Sequence, residues 1–154
     1  MVEKIVLATI EDPRGSKKHV EFDKVTQQYK TVQEFLIPWP FHYGFIKNTY
    51  VPVDGDPLDI AVFGDFQTCE GQNIQVRVIG ALLVQDGDHK VVAIDPSDRQ
   101  FGSCAEYNDL PESLRIEGEN IFKKGGHVIE KTLTSEEAVN LIACYQIKTQ
   151  AQTQ

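Results

Sequence analysis

The sequence DGDPLDI, residues 54–60, constrains this chain more than any other segment. Its three carboxylates, Asp54, Asp56 and Asp59, fall within six residues, in a stretch that is otherwise apolar and β-prone. The glycine and proline among them interrupt the two-residue period of a strand, so the backbone is expected to bend here. Because like charges repel, three converging carboxylates stay ionised at neutral pH only beside a cation. The segment therefore predicts a bend with a positive charge among its acids.

An ordinary turn is the alternative, because Asp, Gly and Pro are common turn residues. Asp59 argues against a turn alone, since it lies between Leu58 and Ile60 in an apolar run, where a carboxylate needs a partner. Hard divalent cations with oxygen ligands, Mg²⁺ above all, suit an all-carboxylate site. The segment favours a magnesium site over a plain turn, without excluding the turn.

Composition narrows the class of protein. With 154 residues, 41% of them hydrophobic, the chain fits one domain over residues 1–147, followed by a polar tail at 148–154. A net charge of −8 disfavours nucleic-acid binding. No apolar run approaches the roughly 20 residues that span a bilayer, and the N-terminus does not resemble a secretion leader. The three cysteines are far apart in the sequence, which favours reduced thiols and a cytoplasmic protein. Together, these features predict neither membrane nor nucleic-acid partners.

Strand patterns dominate the first two-thirds of the chain, and helix patterns follow. The β-prone runs are residues 5–10, 19–22, 73–85 and 91–94. Helices are predicted from Pro111 to about Lys124, before a Gly-Gly pair, and from the cap Ser135 to Tyr145. This order predicts an α+β fold: a small, highly twisted or closed, OB-like β-barrel of about five strands with two flanking helices.

A second acid pair, Asp86 and Asp88, lies in the loop that joins the last two predicted strands. Taken alone, Asp-Gly-Asp is an ordinary hairpin turn. If both acid-bearing turns meet at one mouth of the barrel, however, their carboxylates could hold more than one Mg²⁺. Lys90, two positions after Asp88, would point to the same face of a regular strand. Tyr43, in a rigid aromatic segment, could present its hydroxyl to this site.

Three elements in this order resemble a known family. They are the segment from Tyr43 to Ile46, residues 54–60, and Asp86-x-Asp88-x-Lys90. The middle element matches throughout the signature of the soluble, Mg²⁺-dependent inorganic pyrophosphatases of the bacterial type. The similarity runs from about residue 5 to residue 145. The resemblance implies the fold of that family, hydrolysis of a small phosphorylated substrate, and a homo-oligomer, a hexamer in bacterial relatives.

The resemblance also implies residue roles. Five acids match the metal ligands of the family, which imply two or more Mg²⁺ ions: Asp54, Asp59, Asp86, Asp88 and Glu11. Asp56 matches the acid that orients or deprotonates the attacking water, and Tyr43 matches a tyrosine of the site. Both are catalytic candidates on this resemblance.

The phosphate-binding side matches less completely. Lys90 and Lys123 match two phosphate-binding lysines of the family. His19 stands where the family has another such lysine, and Lys18, one residue earlier, is the substitute candidate. Thr31 stands where the family has an arginine. Phe122 replaces a tyrosine whose hydroxyl contacts phosphate.

These departures leave alternatives open. A charge-assisted contact to phosphate is worth roughly 1.5–3 kcal/mol, so losing several could slow the reaction by orders of magnitude. The first hypothesis is Mg²⁺-dependent hydrolysis of inorganic pyrophosphate. The second is a divergent hydrolase of an organic diphosphate or another phosphoester. The third is a homologue that binds metal but does not catalyse.

Overall fold

The computed structural model describes residues 4–23, 25–34 and 37–147. Its strands are β1 Ile5–Asp12, β2 Lys18–Asp23, β3 Gln28–Glu34, β4 His42–Ile46, β5 Asp59–Phe63, β6 Asn73–Val84, β7 Lys90–Ile94 and β8 Ile129–Leu133. Its α-helices are α1 Glu112–Lys124 and α2 Ser135–Tyr145, and a 3₁₀ helix spans Tyr107–Asp109. The polar tail expected at 148–154 lies outside the described residues, and a single domain over 1–147 stays a prediction.

Five of the strands close into a barrel. The strand order is β1-β4-β5-β7-β6-β8, and β1 also pairs with β6, which joins the two ends of the five-stranded part. The β5–β7 pair is parallel, whereas β4–β5 and β6–β7 are antiparallel. Strand β8 extends the sheet beyond β6, and β2 and β3 form a separate two-stranded sheet. The predicted α+β barrel with two helices is confirmed.

The central strands are buried on both faces. Strand β7 is buried at all five positions, and four of the five residues of β5 are buried. Such strands are apolar nearly throughout, which explains the continuous hydrophobic runs in the sequence. The exceptions are Asp59 and Lys90, the first residues of β5 and β7, which are paired with each other in the parallel register. Two opposite charges therefore face each other at one end of the barrel.

The two helices cover different parts of the barrel. Helix α2 begins at a capping box, in which Thr134 Oγ1 accepts a hydrogen bond from the Glu137 N–H and the Glu137 carboxylate accepts one from the Thr134 N–H. Its buried Ala138 and Ile142 pack in the barrel core. Helix α1 instead contributes Phe122 to a second, aromatic core cluster.

The predicted strand runs include none of β3, β4, β5 and β8. Three of the five β8 residues are exposed, and β3 has the polar sequence QYKTVQE. Strands at sheet edges need little apolar surface, so they lack the alternation that identifies a strand. In the part of the chain that the structure describes, no helix has both the length and the apolar character to cross a membrane.

Candidate active site

Four polar side chains meet where β4, β5 and β7 lie side by side. The Tyr43 hydroxyl donates a hydrogen bond to Asp59 Oδ2 over 2.7 Å, and Lys90 Nζ donates to the same oxygen over 2.7 Å. Lys90 Nζ also donates to Tyr43 Oη over 2.9 Å and lies 3.0 Å from Asp88 Oδ2. Tyr43, Asp59, Asp88 and Lys90 are called the inner cluster below. The structure thus brings together four residues that the sequence marks as site candidates.

Lys90 is the charge centre of the inner cluster. Its side chain is only 2% exposed, and its ammonium group is paired with two carboxylates. Burial acts against the ammonium ion, but Asp59 and Asp88 outweigh it, so the pKa of Lys90 lies above its usual value. One ammonium ion shared by two carboxylates leaves a local excess of negative charge.

The two carboxylates differ in environment. Burial raises the pKa of Asp59 above its usual value, and Lys90 offsets only part of that effect. Burial also acts on Asp88, but there the charge of Lys90 prevails, so the pKa of Asp88 is lowered. Burial, together with the Asp59 charge, raises the pKa of the Tyr43 hydroxyl well above its usual value, so this phenol stays protonated.

An aromatic wall holds the inner cluster in place. The Trp39 and Tyr43 rings are stacked, with centroids 4.6 Å apart, and Phe41 packs against both. Lys90 Nζ lies 5.5 Å from the centroid of the Phe122 ring and 5.6 Å from that of Tyr43. Phe122 therefore forms an apolar floor beneath the ammonium group, where a tyrosine would add a hydroxyl.

The two Asp-Gly-Asp turns share one local structure. Asp54 Oδ1 accepts a hydrogen bond from the Asp56 N–H over 3.1 Å, and Asp86 Oδ1 accepts one from the Asp88 N–H over 3.0 Å. Gly55 and Gly87 both adopt positive φ, at 73° and 88°, which only glycine does without strain. Both turns are thus real turns, as the plainer interpretation of each sequence expects.

The turns also lie next to each other. A Cβ atom added to Gly87 would lie 3.7 Å from a methyl group of Val53, the residue that precedes Asp54. Asp54, Asp56 and Asp86 are exposed beside this contact. The expectation that the two acid-bearing turns meet at one mouth of the barrel therefore agrees with the geometry. Asp54, Asp56 and Asp86 are called the outer acids below.

Sequence reasoning misses His127, which follows the end of α1. Its Nδ1 lies 3.3 Å from Asp86 Oδ2 and its Nε2 lies 3.9 Å from Asp88 Oδ2. The buried Nδ1 makes no hydrogen bond within the described part of the chain, although it lies this close to Asp86. The only sequence signal nearby is the Gly-Gly pair that ends the helix, which says nothing about the histidine after it.

Strand β1 contributes two further acids. A β-bulge between Ile10 and Asp12 interrupts the pairing of β1 with β4, and Asp12 then pairs with Tyr43. Glu11 and Asp12 are both buried, and Asp12 is completely inaccessible to solvent. Glu11, a candidate metal ligand from the sequence, also helps to raise the pKa of Tyr29, after the larger effect of burial. The sequence pattern does not mark Asp12 as a site residue.

The remaining phosphate-side candidates are either exposed or paired with another acid. The side chains of Lys18, Lys123 and Thr31 are exposed. His19, one residue after Lys18, instead contacts Asp12, with Nδ1 2.7 Å from Asp12 Oδ2. Because neighbouring residues of a strand point to opposite faces, Lys18 and His19 do not face the same surface.

The acids are compatible with a divalent cation. Among the described residues, no three Asp, Glu, His or Cys side chains are gathered closely enough to hold an ion in their present rotamers. The donors at the mouth are nevertheless mainly carboxylate oxygens, which suit a hard divalent cation. A cation held jointly by Asp88 and the outer acids would need these side chains to turn towards one another.

Comparisons with known proteins agree with this geometry. A family model described as inorganic pyrophosphatase matches residues 8–149. An inorganic pyrophosphatase of Halalkalibacterium halodurans is 36% identical over 125 residues, which cover 78% of this chain and 76% of that protein. One from Sulfolobus acidocaldarius is 36% identical over 118 residues, covering 72% and 68%.

Solved structures give the same result. The crystal structure of the inorganic pyrophosphatase from Ehrlichia chaffeensis matches 94% of this chain and 95% of that chain, with a TM-score of 0.84 and 27% identity. The enzyme from Thermus thermophilus matches 92% and 89%, with a TM-score of 0.80 and 27% identity. The chain therefore belongs to the inorganic pyrophosphatase family, whose members are generally metal-dependent hydrolases of a phosphoanhydride bond.

Proposed function

We propose that this protein hydrolyses inorganic pyrophosphate to two phosphate ions and that the reaction requires Mg²⁺. The observation that carries the proposal is the inner cluster. Asp59 and Asp88 flank one buried ammonium group, at 2.7 and 3.0 Å, beside a mouth lined with further exposed carboxylates. Such a site offers oxygen ligands for cations and a cation for phosphate. Membership of the pyrophosphatase family supports the same reaction.

The carboxylates of the site would be the ligands of two or more Mg²⁺ ions. We assign the ligand role to five of them: Asp54, Asp59, Asp86, Asp88 and Glu11. When bound, divalent cations polarise the phosphoryl oxygens and lower the pKa of water. Asp56 lies exposed on its turn and can accept a proton from the attacking water.

The cations of the protein act on the phosphate groups. Lys90 is held at the base of the site, and it offsets the charge that develops on a departing phosphate. Tyr43 fixes Lys90 and Asp59 together through its hydroxyl. Lys123 and Lys18 are exposed, so each would reach a phosphate group only from the rim.

An organic diphosphate receives no support from the geometry. The Phe122 ring is buried and packs against Phe41 with ring centroids 5.4 Å apart, so it belongs to the aromatic core. Inorganic pyrophosphate therefore remains the first substrate to test.

We also infer a cytoplasmic homo-oligomer, with the hexamer as the expected size. Reduced cysteines support the first inference, since Cys69, Cys104 and Cys144 are all free. Exposed apolar residues support the second, and they include Leu7, Tyr50 and Ile116. Light scattering coupled to size-exclusion chromatography tests the oligomer; a monomeric mass at micromolar concentration would contradict it.

The deciding experiment measures phosphate release from pyrophosphate by the purified protein. Mg²⁺ at about 5 mM should saturate weak oxygen-ligand sites. We expect fast release that EDTA abolishes and added Mg²⁺ restores. The same assay with a panel of organic diphosphates defines specificity. No release from pyrophosphate by folded protein, or a clear preference for an organic diphosphate, would contradict the proposal.

A further inference from the structure

The starting observation is an imidazole that lies beside the second acid-bearing turn and has no role in the function proposed above. His127 Nδ1 lies 3.3 Å from Asp86 Oδ2, and His127 Nε2 lies 3.9 Å from Asp88 Oδ2. Nδ1 is buried and has no hydrogen-bond partner within the described part of the chain. Buried polar atoms of folded proteins are nearly always paired, so an unpaired nitrogen at the mouth of a site needs an explanation.

The end of helix α1 fixes the position of His127. The helix ends in a Schellman motif, in which the His127 N–H donates to the Phe122 carbonyl over 3.1 Å. The Gly126 N–H donates to the Lys123 carbonyl over 3.0 Å, and Gly126 has the positive φ of that motif, 92°. The backbone of His127 is therefore tied to the last turn of the helix.

A second backbone contact ties His127 to the acids. The Gln85 N–H donates a hydrogen bond to the Val128 carbonyl over 2.8 Å. This bond joins the residue after His127 to the residue before Asp86. Main-chain contacts on both sides thus place the imidazole next to the carboxylate, and the pairing does not depend on a chance side-chain rotamer at the surface.

The approach of Nδ1 to Asp86 differs from that of an ordinary ion pair. A hydrogen bond places the acceptor oxygen along the N–H direction. The 3.3 Å contact here makes no hydrogen bond, so the oxygen lies off that direction. Two adjacent donors of an octahedral ion, each about 2.1 Å from it, are about 3 Å apart, and each aims at the ion rather than at the other donor. The contact therefore has the geometry of two ligands of one ion.

The turn leaves the second oxygen of Asp86 for this purpose. Asp86 Oδ1 accepts the Asp88 N–H within the turn, whereas Oδ2 is the oxygen that faces His127. With Nδ1 on an ion, Nε2 carries the proton and faces Asp88 Oδ2. A carboxylate on that side of a metal-bound imidazole is a common arrangement, and it orients the ring. Water can fill the other positions of a six-coordinate ion.

The nitrogen decides which ion this position favours. Mg²⁺ takes oxygen ligands, whereas divalent ions of the first transition row also bind imidazole readily. One nitrogen beside a carboxylate therefore raises the affinity for such an ion more than it raises the affinity for Mg²⁺. The carboxylates that lie away from His127 offer only oxygen.

We propose that His127 is a metal ligand through Nδ1, and that it shares an ion with Asp86 in a site that prefers a divalent transition-metal ion such as Mn²⁺ to Mg²⁺. This inference rests on the proposed metal-dependent function and adds a nitrogen donor to the acids named there. His127 thus sets the metal preference at one position, and the all-oxygen positions keep Mg²⁺.

Pulsed electron paramagnetic resonance tests the ligand directly. Mn²⁺ is added below one equivalent to the unaltered protein, without pyrophosphate, and the spin echo is examined for modulation by a directly bound nitrogen nucleus. We expect this modulation in the unaltered protein and its loss in His127→Gln. His89→Gln is the matched control, because His89 adjoins the same turn but its Nδ1 already accepts a hydrogen bond from the Val84 N–H over 2.9 Å.

Three spectroscopic results would overturn the assignment. They are no nitrogen modulation in the unaltered protein, modulation that persists in His127→Gln, and modulation that disappears in His89→Gln. If His127→Gln does not fold, as circular dichroism would show, the unaltered protein and His89→Gln decide. Modulation in both would then support the ligand role, and its absence from either would exclude it.

Calorimetric titrations test the metal preference. Glutamine offers an oxygen where His127 offers a nitrogen, so His127→Gln should weaken Mn²⁺ binding selectively. The Kd of Mn²⁺ should rise at least about tenfold, and the Kd of Mg²⁺ should change by less than about threefold. An unchanged Kd of Mn²⁺, or equal weakening of both ions, would contradict a nitrogen donor at this position.

These measurements contain no pyrophosphate, so failure of the inference and failure of the proposed function are distinguishable. A protein that shows the nitrogen modulation but releases no phosphate would reject the proposed function and keep the ligand role of His127. Phosphate release that EDTA abolishes, from a protein without the modulation, would give the opposite result.

Discussion

The inner cluster and the outer acids both contain carboxylates, but the first lies mainly on strands of the barrel and the second on turns. Asp59 and Lys90 lie on adjacent strands of the barrel, and their contacts of 2.7–3.0 Å with Tyr43 and Asp88 are made inside the protein. Asp54 and Asp86 lie on turns, are exposed, and accept hydrogen bonds from their own loops. The inner cluster is thus fixed by the fold before any ligand binds, whereas Asp54 and Asp86 lie on exposed turns.

This difference indicates a division of labour. The parallel register of β5 and β7 fixes the position of Asp59 relative to Lys90. These two groups are therefore oriented for the reaction before the substrate binds. Exposed carboxylates on turns lose little when they turn towards a cation, and they set how tightly it binds. Substitutions in the inner cluster should therefore change the rate, and substitutions of Asp54 and Asp86 should change the need for metal.

The largest effect is expected for Asp59→Asn. This change removes the carboxylate that accepts hydrogen bonds from both Tyr43 and Lys90. Mg²⁺-dependent turnover should fall by about 10³-fold or more, and Asp88→Asn should behave alike. Steady-state phosphate release measures the loss, and circular dichroism establishes that the variant is folded. Glu117→Gln, on the exposed face of α1, is the matched control. A rate near that of the unaltered protein in either variant would remove the inner cluster from the mechanism.

The inner cluster is also the part that sequence patterns predict best. Asp59 and Asp88 are recognisable because each adjoins an apolar strand, and alternation from Asp88 to Lys90 indicates a shared face. The barrel follows for the same reason, since β5, β6 and β7 are strongly apolar. Continuous burial leaves a clear trace in composition.

Other features leave no such trace. Asp12 reads as part of the turn Asp-Pro-Arg-Gly, because its burial depends on a β-bulge that only the pairing with β4 reveals. His127 follows a helix stop, and its approach to Asp86 depends on where α1 ends in space. Contacts between segments far apart in sequence need the tertiary structure, and periodicity reports only local structure.

A second prediction concerns the frame behind the inner cluster rather than its charges. His42 precedes Tyr43, and its Nδ1 accepts a hydrogen bond from the Arg14 N–H over 2.9 Å. Its Nε2 lies 3.1 Å from the Phe66 carbonyl oxygen, which accepts the other bond. Both nitrogens of this neutral ring are thus hydrogen-bonded. Burial lowers the pKa of His42 from 6.5 to about 4.

The pH dependence follows from that shift. Between pH 6.5 and about 4, the unfolded chain binds a proton on His42 that the folded chain does not, so the free energy of unfolding falls as the pH falls. At about 1.36 kcal/mol per pH unit, the loss is roughly 3 kcal/mol. Urea titrations of the unaltered protein and of His42→Gln, which keeps a donor and an acceptor, measure the difference. Equal acid sensitivity of the two proteins would show that His42 does not set it.

A smaller effect is expected for Asp86→Asn among the outer acids. The side chain of Asp86 is 56% exposed and close to His127, so its loss should disturb the fold little. The Mg²⁺ concentration for half-maximal activity should rise about tenfold, with a smaller change in the maximal rate. Isothermal titration with Mg²⁺ measures the binding directly. A maximal rate reduced as strongly as in Asp59→Asn would mean that Asp86 contributes to the rate as the inner cluster does, and not mainly to metal binding.

Tyr43→Phe should give the smallest effect, and its effect should differ in kind from that of Asp86→Asn. The hydroxyl donates to Asp59 and accepts from Lys90, so its removal takes one group out of the inner cluster but leaves the 2.7 Å Lys90–Asp59 contact. A single hydrogen bond contributes about 1 kcal/mol, so we expect kcat to fall about fivefold. The Mg²⁺ requirement should stay unchanged, in contrast to Asp86→Asn, because Tyr43 is buried within the aromatic wall. Measuring kcat across a Mg²⁺ series separates the two variants. If Tyr43→Phe instead shifted the Mg²⁺ requirement at constant kcat, the phenol would belong with the outer acids in function despite its burial.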